Sequence, residues 1–574
     1  MRAATNPALS VRLPVWRARL LLLLVLAAFV TLAARAFYLQ GLHNDFLQAE
    51  GEMRYARTVE ISAHRGMITD RAGEPLAIST PVESVWASPS DADLSADQLQ
   101  RLSRLLDVSV DELHRRFDGR NRDFVYLKRH LPPEQAARVV SLNLPGVFLK
   151  REYRRYYPAA EVTAHVLGFT NVDDHGQEGI ELAYQNWLAG KSGSRRVIKD
   201  RLGRIIEDVE SISVPQQGRE LALSIDRRIQ YLAFRELRDA VRAQRAQAGS
   251  VVVLDAETGE VLALANWPTY NPNNRGTVTA ERTRNRAVVD LFEPGSTLKP
   301  FTAAAAIEAG YASPDSVIDV APGRMRVGNR TIRDIHPALL LTVSEVIQKS
   351  SNVGSAKIAL AMPPQNLWSV FSAVGFGAPP HSGFPGEASG RLRAYQQWRP
   401  IEHATMSYGH GISVSLLQLA RAYSVFASDG VLKPLTFVRR DASPDGAQVI
   451  SKRTAVAVRQ MLEAVTHPGG TAVRARLAGY RVAGKTGTSH KLVDGAYARD
   501  RYVSSFVGFA PASDPRLVIA VVIDEPGEGI YYGGEVAAPV FRQIMAGALR
   551  ALGVAPDSFE EFAPSQAPLP REEV

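Results

Sequence analysis

The 574-residue sequence contains no cysteine. Disulfides and thiol chemistry are therefore excluded. A zinc site would have to be built from the 12 histidines and the carboxylates, and none of these shows His-Glu-x-x-His spacing. No repeat of fixed period appears either: Asp-then-Gly turns recur at 200–203 and 255–259, which is reused turn chemistry and not a solenoid. A broad excess of positive charge is also missing. The formal charge is +8, but Arg2, Arg12, Arg17, Arg19 and Arg35 supply +5 of it in a stretch without acids, leaving +3 for everything after residue 35. That balance argues against a nucleic-acid binder, and the local basic runs 150–155 and 195–204 read as solvated faces that could at most meet an anionic polymer.

What is present begins with an apolar run at residues 20–39, interrupted by Thr31, Arg35 and Tyr38. A helix of about 20 residues spans roughly 30 Å, the thickness of the hydrocarbon core. Four arginines precede the run, so the positive-inside rule predicts a cytoplasmic tail at 1–19, a single-pass anchor at 20–39 and the remainder outside. A cleaved leader ending at Ala34-Arg35-Ala36 is the competing reading. Continuation of the run through Phe37, Tyr38 and Leu39 favours the anchor.

With 45% hydrophobic residues the chain can bury ample core in two or more domains. Residues 61–222 read as polar and strand-rich, with a hairpin turn at 69–76 and helices over 95–106, 109–117 and 132–142. The stretch 209–218, with Pro215 and Gly218, reads as a domain boundary. Beyond it Asp226 caps a helix, strands follow at 250–254 and 261–265, and the middle is helical, including 416–427. Strands return at 480–488, 502–509 and 517–523, and 540–552 closes as a helix. Strands at both ends with helices between predict an α+β fold: a mostly antiparallel sheet whose first and last strands meet, flanked by helices. The domains expected are 40–218 and 219–556, followed by a disordered tail at 557–574.

Chemistry concentrates at Phe292-Glu293-Pro294-Gly295-Ser296-Thr297-Leu298-Lys299-Pro300. Pro300 is tolerated only in a first turn, which sets Ser296 at a helix start. Residues i and i+3 share a helix face, so the Lys299 amine reaches the Ser296 hydroxyl as nucleophile and base. Ser350-Ser351-Asn352 and Lys485-Thr486-Gly487-Thr488 follow. The order Ser-x-x-Lys, Ser-x-Asn, Lys-Thr-Gly is the signature of penicillin-binding proteins and class A β-lactamases, with Ser351 where Asp is the usual residue. The first and third side chains of that triplet are expected to do the work. A rival motif, Gly479 to Thr486, matches the P-loop pattern G-x-x-x-x-G-K-[ST], but it follows no apolar strand and precedes a polar stretch instead of a helix.

Around these motifs, Phe292-Glu-Pro-Gly-Ser-Thr, Gln348-Lys-Ser-Ser-Asn-Val-Gly, Tyr531-Tyr-Gly-Gly, Arg65-Gly-Met-Ile-Thr-Asp-Arg, Arg154-Arg-Tyr-Tyr-Pro and Gly176-Gln-Glu-Gly-Ile-Glu181 resemble the division-specific class B penicillin-binding proteins. The resemblance implies a pedestal at 40–218, a penicillin-binding domain at 219–556, and a serine-type D-Ala-D-Ala transpeptidase that cross-links stem peptides during septal wall synthesis. It implies Ser296 as acylated nucleophile, Lys299 as base, Ser350 as proton relay, Asn352 as a positioning group and Lys485 as electrostatic support. Thr486 and Thr488, flanking Gly487, would bind the substrate carboxylate, and the N–H groups of Ser296 and Thr488 would form the oxyanion hole. No cofactor or metal is implied. The implied partners are peptidoglycan stem peptides, β-lactams as inhibitors, a membrane glycosyltransferase of the FtsW type and other division proteins, at the bacterial inner membrane with the catalytic domain periplasmic. Nothing chemical is expected of Glu178 or Glu181. The alternatives are a serine β-lactamase, whose deacylating acid does not match Glu387, Glu402 or Glu463, and a non-catalytic β-lactam sensor or scaffold.

Overall fold

The computed structural model describes residues 14–42, 56–118, 124–199, 205–276, 278–493, 495–527 and 529–558. The turn at 200–203, most of the expected N-terminal tail and nearly all of the expected disordered tail lie outside the described residues. Val15–Phe37 is one helix, exposed along its length, continued by a wider helical turn at Tyr38–Leu42. It is long and apolar enough to cross a membrane.

The chain forms two compact units. The first comprises residues 1–63, 81–152 and 191–216, and the second 64–80, 153–190 and 217–574. Where the sequence suggests one block over 40–218, segments 64–80 and 153–190 thus fold with the later part of the chain.

The first unit holds a three-stranded antiparallel sheet, in the order Ala56–Ile61, Gly193–Lys199, Ile205–Ser213. It also has its own apolar cluster, where Leu99, Leu102, Leu106 and Leu113 from helices Ala96–Leu106 and Val110–Phe117 meet Val85 and Leu127. Ser95 and Ser109 cap those helices through their side chains, which is why the sequence marked their starts.

In the second unit the turn expected at 69–76 forms around Asp70, whose Oδ1 accepts from the Ala72 and Glu74 amides at 2.8 and 2.9 Å. The helix expected after the turn at 176–178 starts at Gly179, and Glu181 in its first turn has a structural part, not a chemical one. The Glu181 side chain is fully buried and accepts from Arg65 Nε at 2.5 Å and Arg155 Nε at 2.6 Å. Three stretches separated by up to 116 residues are thereby joined. A buried carboxylate must be paired, and two guanidinium groups do so here. Arg155 is accordingly not part of a solvated basic face.

The main sheet of this unit has five antiparallel strands in the order Val261–Trp267, Ala248–Asp255, Leu517–Asp524, Ala496–Ala510, Ala483–Val493. As expected, an early strand and the last pair directly. Val251, Val252, Val253 and Leu254 are all fully buried although successive side chains point to opposite faces, so helices cover both sides. Asp226 caps Arg227–Ala243, accepting from the Arg228 amide at 2.9 Å, and that helix packs on the sheet beside Gly533–Ala551. Two boundaries differ from expectation. Strand pairing runs past Thr488 to Val493 and turns into Ala496–Ala510, because a two-stranded ribbon satisfies its own backbone without an apolar pattern. The closing helix starts at Gly533, not at 540, and holds Pro539 inside it.

Candidate active site

Gly295–Leu298 is a 3-10 turn that runs directly into the helix Lys299–Glu308, with Pro300 in its first turn. The geometry expected from the i, i+3 spacing is present: Lys299 Nζ lies 3.0 Å from Ser296 Oγ. The same amine lies 3.0 Å from Ser350 Oγ and also contacts the Ser350 carbonyl closely. Lys299 is completely buried. Burial holds its pKa well below the ordinary lysine range, the nearby Lys485 charge lowers it further, and Asp334 opposes both. A hydroxyl thus faces an amine able to accept its proton.

Ser350 sits between the helices Val343–Gln348 and Asn352–Leu360 with φ +62°. A left-handed non-glycine residue costs about 1 kcal/mol or more, and here the surrounding caps hold it. Ser351 Oγ accepts from the Gly354 amide at 2.8 Å and donates to Asp334 Oδ2 at 2.7 Å. Asp334 Oδ1 accepts from the Asn352 and Val353 amides at 2.5 and 2.9 Å, a carboxylate on a helix N-terminus. Ser351 is therefore a structural cap, a part separate from the chemistry expected of the residues on either side of it. Asn352 Nδ2 donates to the Arg333 carbonyl at 3.0 Å, so the side chain is anchored to the segment that presents Asp334.

Lys485 is fully buried on the strand Ala483–Val493, where burial pushes its pKa down to about 7. That Gly484-Lys485-Thr486 lies inside a strand removes the P-loop reading. Thr486 Oγ1 is 2.9 Å from Thr471 Oγ1, and Thr488 Oγ1 accepts from the Gly533 amide at 3.0 Å. Gly487 is required by close approach: a Cβ there would lie 2.4 Å from Ser505 Oγ and 2.8 Å from the Pro294 carbonyl. The strand can lie against the Ser296 turn only without a side chain at that position.

A cleft of about 320 Å³ is lined by Ser296, Ser350, Asn352, Thr486 and Thr488. Lys299, Lys485 and Gly487 are buried behind it. All eight predicted residues therefore belong to one locality. A larger cavity of about 610 Å³ in the same unit includes none of them. Asp334, Tyr408, His410, Thr471 and Glu535 also line the cleft, and sequence reasoning missed each. Asp334 sits in no motif; the paired glycines of Tyr408-Gly409-His410-Gly411 were a usable turn signal. Glu387, Glu402 and Glu463 are engaged elsewhere, with Ser382, with Arg393 and Arg399, and with Arg481.

The family description "Penicillin binding protein transpeptidase domain" matches residues 249–546, and "Penicillin-binding Protein dimerisation domain" matches 60–223. The chain is 44% identical over 550 residues to the peptidoglycan D,D-transpeptidase FtsI of Escherichia coli, covering 95% of this chain and 93% of that protein. It is 44% identical over 544 residues to the probable peptidoglycan D,D-transpeptidase PenA of Neisseria gonorrhoeae, covering 94% and 93%. Among solved structures, the transpeptidase domain of Burkholderia pseudomallei penicillin-binding protein 3 is 45% identical with a TM-score of 0.55, covering 58% of this chain and 98% of that one.

Proposed function

The chain belongs to the class B penicillin-binding proteins and is a peptidoglycan D,D-transpeptidase, and on that footing we propose that Ser296 is its acylated nucleophile. The observation that carries this is the Ser296, Lys299, Ser350 cluster, with a buried amine of lowered pKa 3.0 Å from each hydroxyl. Lys299 takes the Ser296 proton as Oγ attacks the carbonyl of a D-alanyl-D-alanine donor, and Ser350 relays it to the departing D-alanine amine. The amides of Ser296 and Thr488 hold the developing oxyanion. Thr486 and Thr488 bind the donor carboxylate, with Lys485 behind them as charge. An amine from a neighbouring stem peptide then attacks the ester to form the cross-link.

The exposed N-terminal helix is consistent with membrane anchoring. We place the N-terminus in the cytoplasm and the catalytic unit in the periplasm on the strength of the arginines that precede the helix. Residues 40–218, apart from 64–80 and 153–190, which fold with the later part of the chain, serve as the pedestal and 219–556 as the transpeptidase domain; the two family matches, 60–223 and 249–546, support that division of labour. The setting is septal wall synthesis beside a glycosyltransferase of the FtsW type that supplies strands. A cross-linking assay with a D-alanyl-D-alanine stem peptide and an amine acceptor tests the site. Ser296→Ala and Lys299→Ala should each abolish product, and normal cross-linking by folded Ser296→Ala would overturn the assignment.

A further inference from the structure

We propose that His410 is the base that removes the proton from the acceptor amine in the second half of the reaction. The inference rests on the transpeptidase reading above. An alkylamine acceptor has a pKa near that of lysine, about 10.4, so it arrives as an ammonium with no lone pair to attack with. Lys299 and Ser350 are committed to Ser296, where a proton must be returned when the ester breaks. A further proton acceptor is needed in the same cleft.

The other lining groups are unsuited. Asp334 is bound to the Ser351 hydroxyl and to two helix amides, and burial pushes the Tyr408 phenol up to about 12. Lys349 and His336 are exposed, and Glu535 lies in the first turn of the helix Gly533–Ala551, whose N-terminal amides attract its carboxylate. His410 is half-buried and lines the cleft. Its loop is fixed to the nucleophile turn: the Gly295 amide donates to the Gly409 carbonyl at 3.3 Å, and a Cβ on Gly409 would lie 2.2 Å from the Gly295 carbonyl. His410 is thus one residue from backbone contact with the neighbour of Ser296.

The ring stands edge-on to Tyr408 at 5.3 Å and to Tyr497 at 6.2 Å, while its Nδ1 is buried without a hydrogen-bond partner. Among the described residues no group therefore fixes the tautomer there, and an orphaned buried nitrogen calls for a functional reason. The charged groups that act on the ring are Glu293, Lys299 and His490. Burial is the main influence and keeps the imidazole below its usual range, opposed by Glu293, so it is neutral and able to accept at neutral pH. Glu293 is held by the Gly411 amide at 2.8 Å and by Tyr497 Oη at 3.0 Å, in position to favour the imidazolium once formed.

The protons balance. The ammonium gives one proton to His410, and the freed lone pair forms the C–N bond. The C–O bond to Ser296 breaks, and the second amine proton passes by way of Lys299 to Ser296 Oγ. His410 then releases its proton to solvent.

The test separates the two half-reactions. Wild type, His410→Gln and His410→Asn are acylated with a β-lactam, which also checks that the site is folded. A thioester analogue of the donor with D-alanine as acceptor then gives the rate of aminolysis from about pH 6 to about pH 9. Acylation within about twofold of wild type, with aminolysis at neutral pH down about tenfold or more, is expected. The deficit should close as pH approaches the amine pKa. Aminolysis at the wild-type rate, or acylation and aminolysis falling together, would overturn the proposal, as would a deficit independent of pH. A wild type that forms no acyl-enzyme would overturn the transpeptidase reading itself, and the proposal with it.

Discussion

Two buried lysines of different duty make the strongest prediction at the scale of single residues. Lys299 must be neutral to act as base, and its depressed pKa allows that well below the ordinary lysine range; acylation should fall as pH drops and Lys299 becomes protonated. Lys485, at about 7, carries its charge below that pH and loses it above. If that charge draws the substrate carboxylate, second-order acylation by a β-lactam falls again above about pH 7, giving a bell. A flat profile between about pH 5 and about pH 10 would contradict both roles. Lys299→Ala should lower acylation by at least about a thousandfold while the thermal transition persists. His165 bears on stability instead. It is buried, its Nε2 contacts the Arg282 carbonyl at 2.8 Å, and burial lowers its pKa from 6.5 to about 4. Because the unfolded chain binds that proton first, the stabilisation is complete above pH 6.5 and drains away as pH falls toward about 4, by about 3 kcal/mol. Denaturant unfolding of wild type against His165→Gln at neutral and acid pH measures it: the variant should lose less stability on acidification.

Elements hold the site through contacts of closest approach. The strand Ala483–Val493 meets the Ser296 turn at Gly487, where an added methyl would lie 2.8 Å from the Pro294 carbonyl. Gly487→Ala should therefore push the strand from the turn and cut acylation by about a hundredfold, consistent with the cost of an ångström of misplacement; stopped-flow acylation reads it, and an unaffected rate would show that the strand adjusts freely. At the other wall, Asp334→Ala should leave two helix amides and Ser351 without their acceptor and lower unfolding free energy by about 2 kcal/mol. These elements also show what a sequence can and cannot tell. Ser296 and Lys299 were legible because their spacing is set by one turn of helix, and Ser95, Ser109 and Asp226 because capping is local. Asp334 and Glu181 were not, since their partners lie 17 or more residues away and nothing local distinguishes such a carboxylate from a solvated one. The ribbon beyond Thr488 was misread for a related reason: its pairing is between its own two strands, so no apolar alternation marked it.

At the scale of the whole molecule, an exposed apolar helix at Val15–Phe37 precedes a catalytic unit with its own extensive core. Removing residues 1–39 should release a soluble protein that still binds β-lactam, since every residue proposed for the site lies in the second unit. Cross-linking in cells should nevertheless fail, because a tether sets the local concentration at which the enzyme meets its strands. Loss of β-lactam binding in the folded truncation would show that the anchor supports the site directly. The central claim is that this chain acylates itself at Ser296 and keeps the acyl group until an amine arrives. Intact-mass analysis after adding a β-lactam tests it most directly: the account predicts one stable adduct on wild type and none on Ser296→Ala, whereas unmodified enzyme returning within seconds beside hydrolysed drug, or an adduct on Ser296→Ala, would contradict it.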